Sequence, residues 1–174
     1  NVSVSASGVY GSTIQSVKTV FDNTTYDGTS FQTSSISRSG ALNMVTTVTD
    51  SRGRSASYTK EVTVYPYSAP KIISASSVSD GENTVVTATG AVSPVTVDST
   101  AKNTKTLKIS YKSSTETEFT NETTVEVADW SFAVSKTFAI DSRTSTYDFK
   151  ITLEDNISTA DPYYTTTGKP VISR

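Results

Sequence analysis

Three groups of residues in this sequence have the types and spacing for chemistry. Asp155 and Asp161 are carboxylates of the kind that hydrolyse glycosides when a fold holds two of them roughly 5–10 Å apart across a cleft. Asp80, Glu82 and Asp98 offer hard oxygen ligands such as Ca²⁺ takes. Trp130, Tyr163 and Tyr164 supply rings on which a sugar can stack its apolar face. Each group also has a plainer reading. Asp155 and Asp161 sit in turn-like sequence with no aromatic-lined groove around them. Asp80-Gly81-Glu82-Asn83 falls between two strand patterns as a polar turn, and its spacing matches no calcium loop. Trp130 stands two residues before Phe132, which belongs to a core pattern, so it is expected to cover an edge of the core. Tyr163 and Tyr164 must point to opposite faces of a strand, leaving at most one exposed. Saccharide contact through these rings is the candidate that remains, and no catalytic, cofactor or metal residue is expected.

Absent residue types narrow the chemistry further. The chain has neither cysteine nor histidine. It therefore lacks disulfides, thiol nucleophiles, the usual general base and the commonest transition-metal ligand, and Ser-His-Asp and Cys-His catalysis are impossible within it. A net charge of −2 gives no electrostatic reason to bind nucleic acid or anionic lipid. No membrane span or leader is legible; Asn1-Val2-Ser3-Val4 starts directly in an alternating pattern, as the interior of a longer polypeptide would. Gly168-Lys169-Pro170-Val171-Ile172-Ser173-Arg174 reads as another connector.

The elements that must position these residues are strands. Hydrophobic residues make up 34% of the 174-residue chain and charged residues 18%, both low for a globular protein. Serine and threonine fill the gap with roughly a third of the positions. Threonine suits the wet face of a sheet, and the interleaved Val, Ile, Phe and Tyr argue against disorder. Leu42, Met44, Thr46 and Val48 alternate with polar residues up to Asp50-Ser51-Arg52-Gly53-Arg54, where Gly53 can take positive φ and Asp50 can cap its own turn; this is a hairpin signal. After Val62 and Val64, Tyr65-Pro66-Tyr67-Ser68-Ala69-Pro70 removes two ladder donors and stiffens the chain into an extended connector, with Pro66, Tyr67 and Pro70 as hinge residues.

The expectation is thus all-β, two antiparallel sandwiches in tandem over 1–67 and 68–174. In the first, strands are expected near 2–6, 14–21, 30–36, 42–49 and 56–65, with Asp22-Asn23, Asp27-Gly28 and Ser39-Gly40 as turns. Such a length is short for an immunoglobulin-type sandwich of about 100 residues, which implies an absent opening strand or a minimal sandwich. In the second, Leu107, Ile109 and Tyr111 face one way and Lys108, Ser110 and Lys112 the other. Phe132, Val134, Phe138 and Ile140 repeat the rule around Lys136, as do Tyr147, Phe149, Ile151 and Leu153. Further strands near 71–78, 84–93, 118–127 and 158–167 bring the count to about seven. No stretch carries a helical period.

The run Val48-Thr49-Asp50-Ser51-Arg52-Gly53-Arg54, followed by Tyr65-Pro66-Tyr67-Ser68-Ala69-Pro70-Lys71-Ile72, resembles the tandem Ig-like repeats in tail proteins of siphophages infecting Gram-positive bacteria such as streptococci. Tyr147-Asp148-Phe149-Lys150-Ile151-Thr152-Leu153-Glu154-Asp155 is similar to the penultimate strand of fibronectin type III and PKD-like modules. The chain departs from antibody domains in having no cysteine pair, and Trp130 lies outside the strand of Leu107, Ile109 and Tyr111. The resemblance implies a non-enzymatic spacer or adhesion module of a tail or tail-tip fibre in the virion. Its partners would be other tail proteins or other parts of the same polypeptide. Two alternatives share the fold: a module binding Gram-positive cell-wall saccharide, and the stalk of a bacterial surface adhesin.

Overall fold

The computed structural model describes residues 1–167, so the expected connector Gly168–Arg174 lies outside the described residues. The chain is all-β, with no helix among the described residues. It divides into two compact units, unit 1 over Asn1–Pro66 and unit 2 from Tyr67 onward.

Unit 1 contains β1 (Val2–Ser3), β2 (Ile14–Phe21), β3 (Thr24–Asp27), β4 (Ser30–Phe31), β5 (Gly40–Asp50) and β6 (Ser55–Val64). Its main sheet has the order β3-β2-β5-β6, and β1 pairs with β4 as a two-stranded ribbon. The register places Val17 opposite Val48, Thr19 opposite Thr46, Leu42 opposite Val62 and Thr46 opposite Tyr58, so the alternation read in β5 is one inner face. Val17, Thr19, Phe21 and Thr46 are buried there, and Thr19 and Thr46 share a hydrogen bond of 2.8 Å. The opposite face is wet, and serine and threonine hydroxyls pair across it, as in Thr47–Ser57 at 2.9 Å. Asp22 and Asn23 both take positive φ (46° and 61°), the two-residue hairpin turn that matches strand twist.

Three expectations change in this unit. Residues 24–27, expected as part of a turn region, form β3, because the Asp22-Asn23 turn is tight enough to return the chain at once. The strands expected over 2–6 and 30–36 shrink to two residues each. Tyr26 explains the second truncation: its ring stacks on Phe31 at 4.6 Å and its hydroxyl holds Ser34, drawing the chain off the ladder.

Unit 2 contains β7 (Lys71–Ser79), β8 (Thr84–Ala91), β9 (Thr96–Val97), β10 (Thr100–Ala101), β11 (Thr106–Ser113), β12 (Asn121–Val125), β13 (Ser131–Phe138), β14 (Tyr147–Glu154) and β15 (Tyr163–Thr167). Sheets β12-β11-β14-β15 and β13-β8-β7 face each other across one core, and β9–β10 is a small hairpin aside. Val86 and Ala88 from one sheet meet Leu107, Ile109, Phe149, Ile151 and Leu153 from the other, with Phe132, Phe138 and Ile140 closing the cluster. Gly90 is obligatory: a Cβ there would stand 2.7 Å from the Phe132 ring and 2.9 Å from the Lys71 carbonyl. The strands expected from 118 and 158 begin later, at Asn121 and Tyr163. Residues before Asn121 form a loop carrying Phe119, and Pro162 lacks the donor a ladder needs.

Candidate functional site

The carboxylates with depressed pKa values hold turns or, for Asp22, a neighbouring loop. Asp50 accepts the Arg54 guanidinium at 2.6 and 2.9 Å and the N–H groups of Arg52 and Arg54 at 2.9 Å each. These bonds, the guanidinium first, hold its carboxyl well below the usual range. Arg54 also reaches Ser12, and Arg52 donates to the Tyr10 carbonyl at 2.7 Å, so this hairpin clasps the loop before β2. Asp22 is lowered by the Ser37 N–H and then by Arg38. Asp141 falls to about 2 through Arg143.

Of the carboxylates weighed for calcium and glycoside chemistry, Asp80 and Asp155 have the same occupation, and Asp161 is exposed ahead of β15. Asp80 caps the N–H groups of Asn83 and Glu82 at 2.7 and 2.9 Å, which lowers its pKa, while Glu82 pairs with Arg143 at 3.2 Å. Asp98 sits in the β9–β10 turn at a φ of 48°. Burial pushes the Asp155 pKa up, yet Asn103 and the N–H groups of Ser158 and Ile157 outweigh it and leave it lowered.

The three aromatic candidates are not brought together as one platform. Trp130 is half-buried against the core, as expected of an edge cover, and its ring is capped by the Lys105 ammonium at 4.1 Å. Lys105 is fixed there by donating to the Ala128 carbonyl at 2.7 Å. A sugar would have to displace that lysine. Tyr163 pairs with Ile151 on the inner side of β15, and Tyr164 pairs with Lys150 on the outer side. Both keep exposure, 38% and 58%, because β15 is an edge strand, so the expectation of a single exposed ring is corrected.

Tyr164 has a partner that the sequence did not single out. The Phe119 ring lies 6.1 Å away, and the Lys112 ammonium stands 5.4 Å over Phe119. Asp148 on the same face accepts from Thr166 at 2.8 Å and pairs with Lys112 at 3.8 Å. The result is an aromatic shelf flanked by an ammonium and a carboxylate, the mixture that sugar recognition uses. Lys112 was readable as outward-facing from its alternation with Tyr111. Phe119 carried no signal, because only the fold of its loop brings it over the sheet.

The connector residues divide between the units. Pro66 is exposed at the end of unit 1. Within unit 2, Pro70 is buried and the Tyr67 hydroxyl bonds to Ser158 at 2.6 Å and Asp155 at 3.5 Å.

Residues 1–172 match the model of a family described as siphovirus protein of unknown function (DUF859). The chain belongs to that siphovirus family. It is therefore a viral protein of all-β, sandwich build, and membership points to a structural component of the virion. No curated protein matches it. Solved structures do, among them the crystal structure of chicken CNTN1 FN1-FN3 domains, at 12% identity and a TM-score of 0.35. That match covers 93% of this chain, which spans 59% of the neighbour.

Proposed function

We propose that this siphovirus chain is a non-enzymatic spacer of a phage tail or tail-tip fibre that positions host-recognition parts at the bacterial surface. The observation that carries the reading is the tie between Tyr67 and the Asp155–Ser158 turn. With Tyr67 fastened and Pro70 buried, the six-residue Tyr65–Pro70 connector contributes only Tyr65 and Pro66 as a joint, and proline restricts even that. A spacer needs reach with restricted bending. The engagement of Asp50, Asp80, Asp141 and Asp155 as acceptors within their own turns, and of Asp22 as the acceptor for Ser37 and Arg38, also fits a structural part. Its partners are other tail proteins or other parts of the same polypeptide. Small-angle scattering on wild type, Tyr67→Phe and Pro66→Gly tests this. Both variants are expected to broaden the interdomain distribution while each unit keeps its fold; unchanged scattering in both would count against a fastened joint. Pro66→Gly is a cleaner probe than Pro70→Gly, because Pro70 is part of the packing of unit 2.

A second reading, a module for Gram-positive wall polysaccharide, has one observation in its favour: the exposed Tyr164 ring beside Phe119, Lys112 and Asp148. Its site would be Tyr164, not Trp130. Saturable polysaccharide binding that Tyr164→Ala removes and Trp130→Ala retains would select it.

A further inference from the structure

The chain enters and leaves unit 2 at opposite ends. At its start the Tyr67 hydroxyl bonds to Ser158 at 2.6 Å in the turn between β14 and β15, which fixes where β7 begins. β7 finishes at the other end, where the hydroxyls of Ser79 and Ser142 bond and the Ser142 N–H donates to the Gly81 carbonyl at 2.9 Å. β15 leaves the same turn and runs the same way, from Tyr163 opposite Ile151 to Thr167 opposite Tyr147. The two strands lie side by side. Tension on the chain therefore drives them in opposite directions along their own lengths. β7 is held by its ladder to β8, from Lys71 opposite Ala91 to Ser79 opposite Thr84, and β15 by its ladder to β14. Antiparallel hydrogen bonds lie perpendicular to the strands, so such a pull loads every rung of a ladder at once. A pull across one end would open the rungs one after another.

Both points where load enters are pinned by a side-chain hydroxyl. Behind Tyr67, Pro70 is buried and Ile72 and Ala75 pack against the core. At the exit, Thr167 is 2% exposed, and its hydroxyl accepts from the Tyr147 N–H at 3.2 Å and donates to the Tyr147 carbonyl at 3.3 Å. The last rung of the β14–β15 ladder is thus reinforced where tension reaches it first. We propose that unit 2 bears load: it carries tension along the polypeptide in shear, with Tyr67 and Thr167 as the pins at entry and exit. This role rests on the spacer reading and adds what a spacer would transmit, the pull between the parts it joins.

Single-molecule force measurements test it on the full chain, which has no cysteine of its own, so that introduced pairs supply the only thiols for handles. Tyr65→Cys with Lys169→Cys pulls along the strands, and Tyr65→Cys with Ile157→Cys pulls across one end. Forced unfolding follows the barrier that the load must cross, so unit 2 is expected to need along the strands about twice the force that it needs across the end, or more. Thr167→Val is expected to lower the force along the strands and to leave that across the end unmoved. Equal forces in the two geometries would overturn the proposal, as would a Thr167→Val effect that is absent or the same in both. The comparison of geometries keeps Thr167 in place, so it decides the matter even where Thr167→Val fails to fold. Unchanged scattering in the joint variants would remove the spacer reading, whereas the force ratio is set within unit 2 and reports the shear geometry alone.

Discussion

Unit 2 and unit 1 share a strand order yet hold themselves together differently. Unit 2 closes a continuous apolar core between two full sheets, with Leu107, Phe149, Ile151 and Leu153 removed from solvent. In unit 1, Val17 and Phe21 are the buried apolar side chains among the described residues, and Ser12, Thr19, Thr46 and Asp50 are buried with them. Small domains bury too little apolar surface to be more than marginal on packing alone. Unit 1 adds a directed polar frame: the Thr19–Thr46 bond and the clasp of Asp50, Arg52 and Arg54 on the loop before β2. Unit 2 thus has a core that averages over many contacts, and unit 1 one that depends on a few bonds.

The contrast can be broken by mutation. Phe149→Ala should have the largest effect, about 3–5 kcal/mol lost from unit 2 in chemical denaturation, with the unit 1 transition unmoved. A matching shift in unit 1 would show that the two do not unfold separately. Gly90→Ala should cost unit 2 about 1–3 kcal/mol by overpacking against Phe132 and the Lys71 carbonyl. In unit 1, Thr19→Val should cost about 1–3 kcal/mol by stranding the Thr46 hydroxyl, and adding Thr46→Val should recover much of it.

The finest separation comes from acid. Folding lowers the Asp50 pKa from 3.8, so its stabilisation is complete above that value and is lost as pH falls through the lower folded value. The melting temperature of unit 1 should hold level from pH 7 down to about 5 and drop below about 4. Asp50→Asn should lower it at neutral pH and flatten that drop, leaving unit 2 unchanged.

Most of the sheet architecture was legible because period-2 patterns report which face is buried. Leu107-Ile109-Tyr111, Tyr147–Leu153 and Leu42–Val48 all occupy the faces their alternation assigned them. The Asp50–Arg54 turn was equally clear, since Gly53 takes a φ of 77° and Asp50 caps the turn with its own side chain. Short elements were not legible: β3 spans four residues, and a turn-rich stretch hides such a strand until its partner is known. The candidate site was harder still. Tyr164 was named, but its neighbour Phe119 reaches it through a loop conformation and not through any sequence period. Trp130 was weighed as both core edge and sugar contact, and Lys105 over its ring, twenty-five residues earlier in sequence, is a tertiary fact.

The most direct measurement is binding of the chain, and of its Tyr164→Ala and Trp130→Ala variants, to whole cells and purified wall polysaccharide of candidate streptococcal hosts. A spacer gives no saturable binding with any of the three folded proteins. Saturable binding by the wild type that Tyr164→Ala abolishes in a folded state would contradict the spacer function and make this chain a receptor-binding part of the phage.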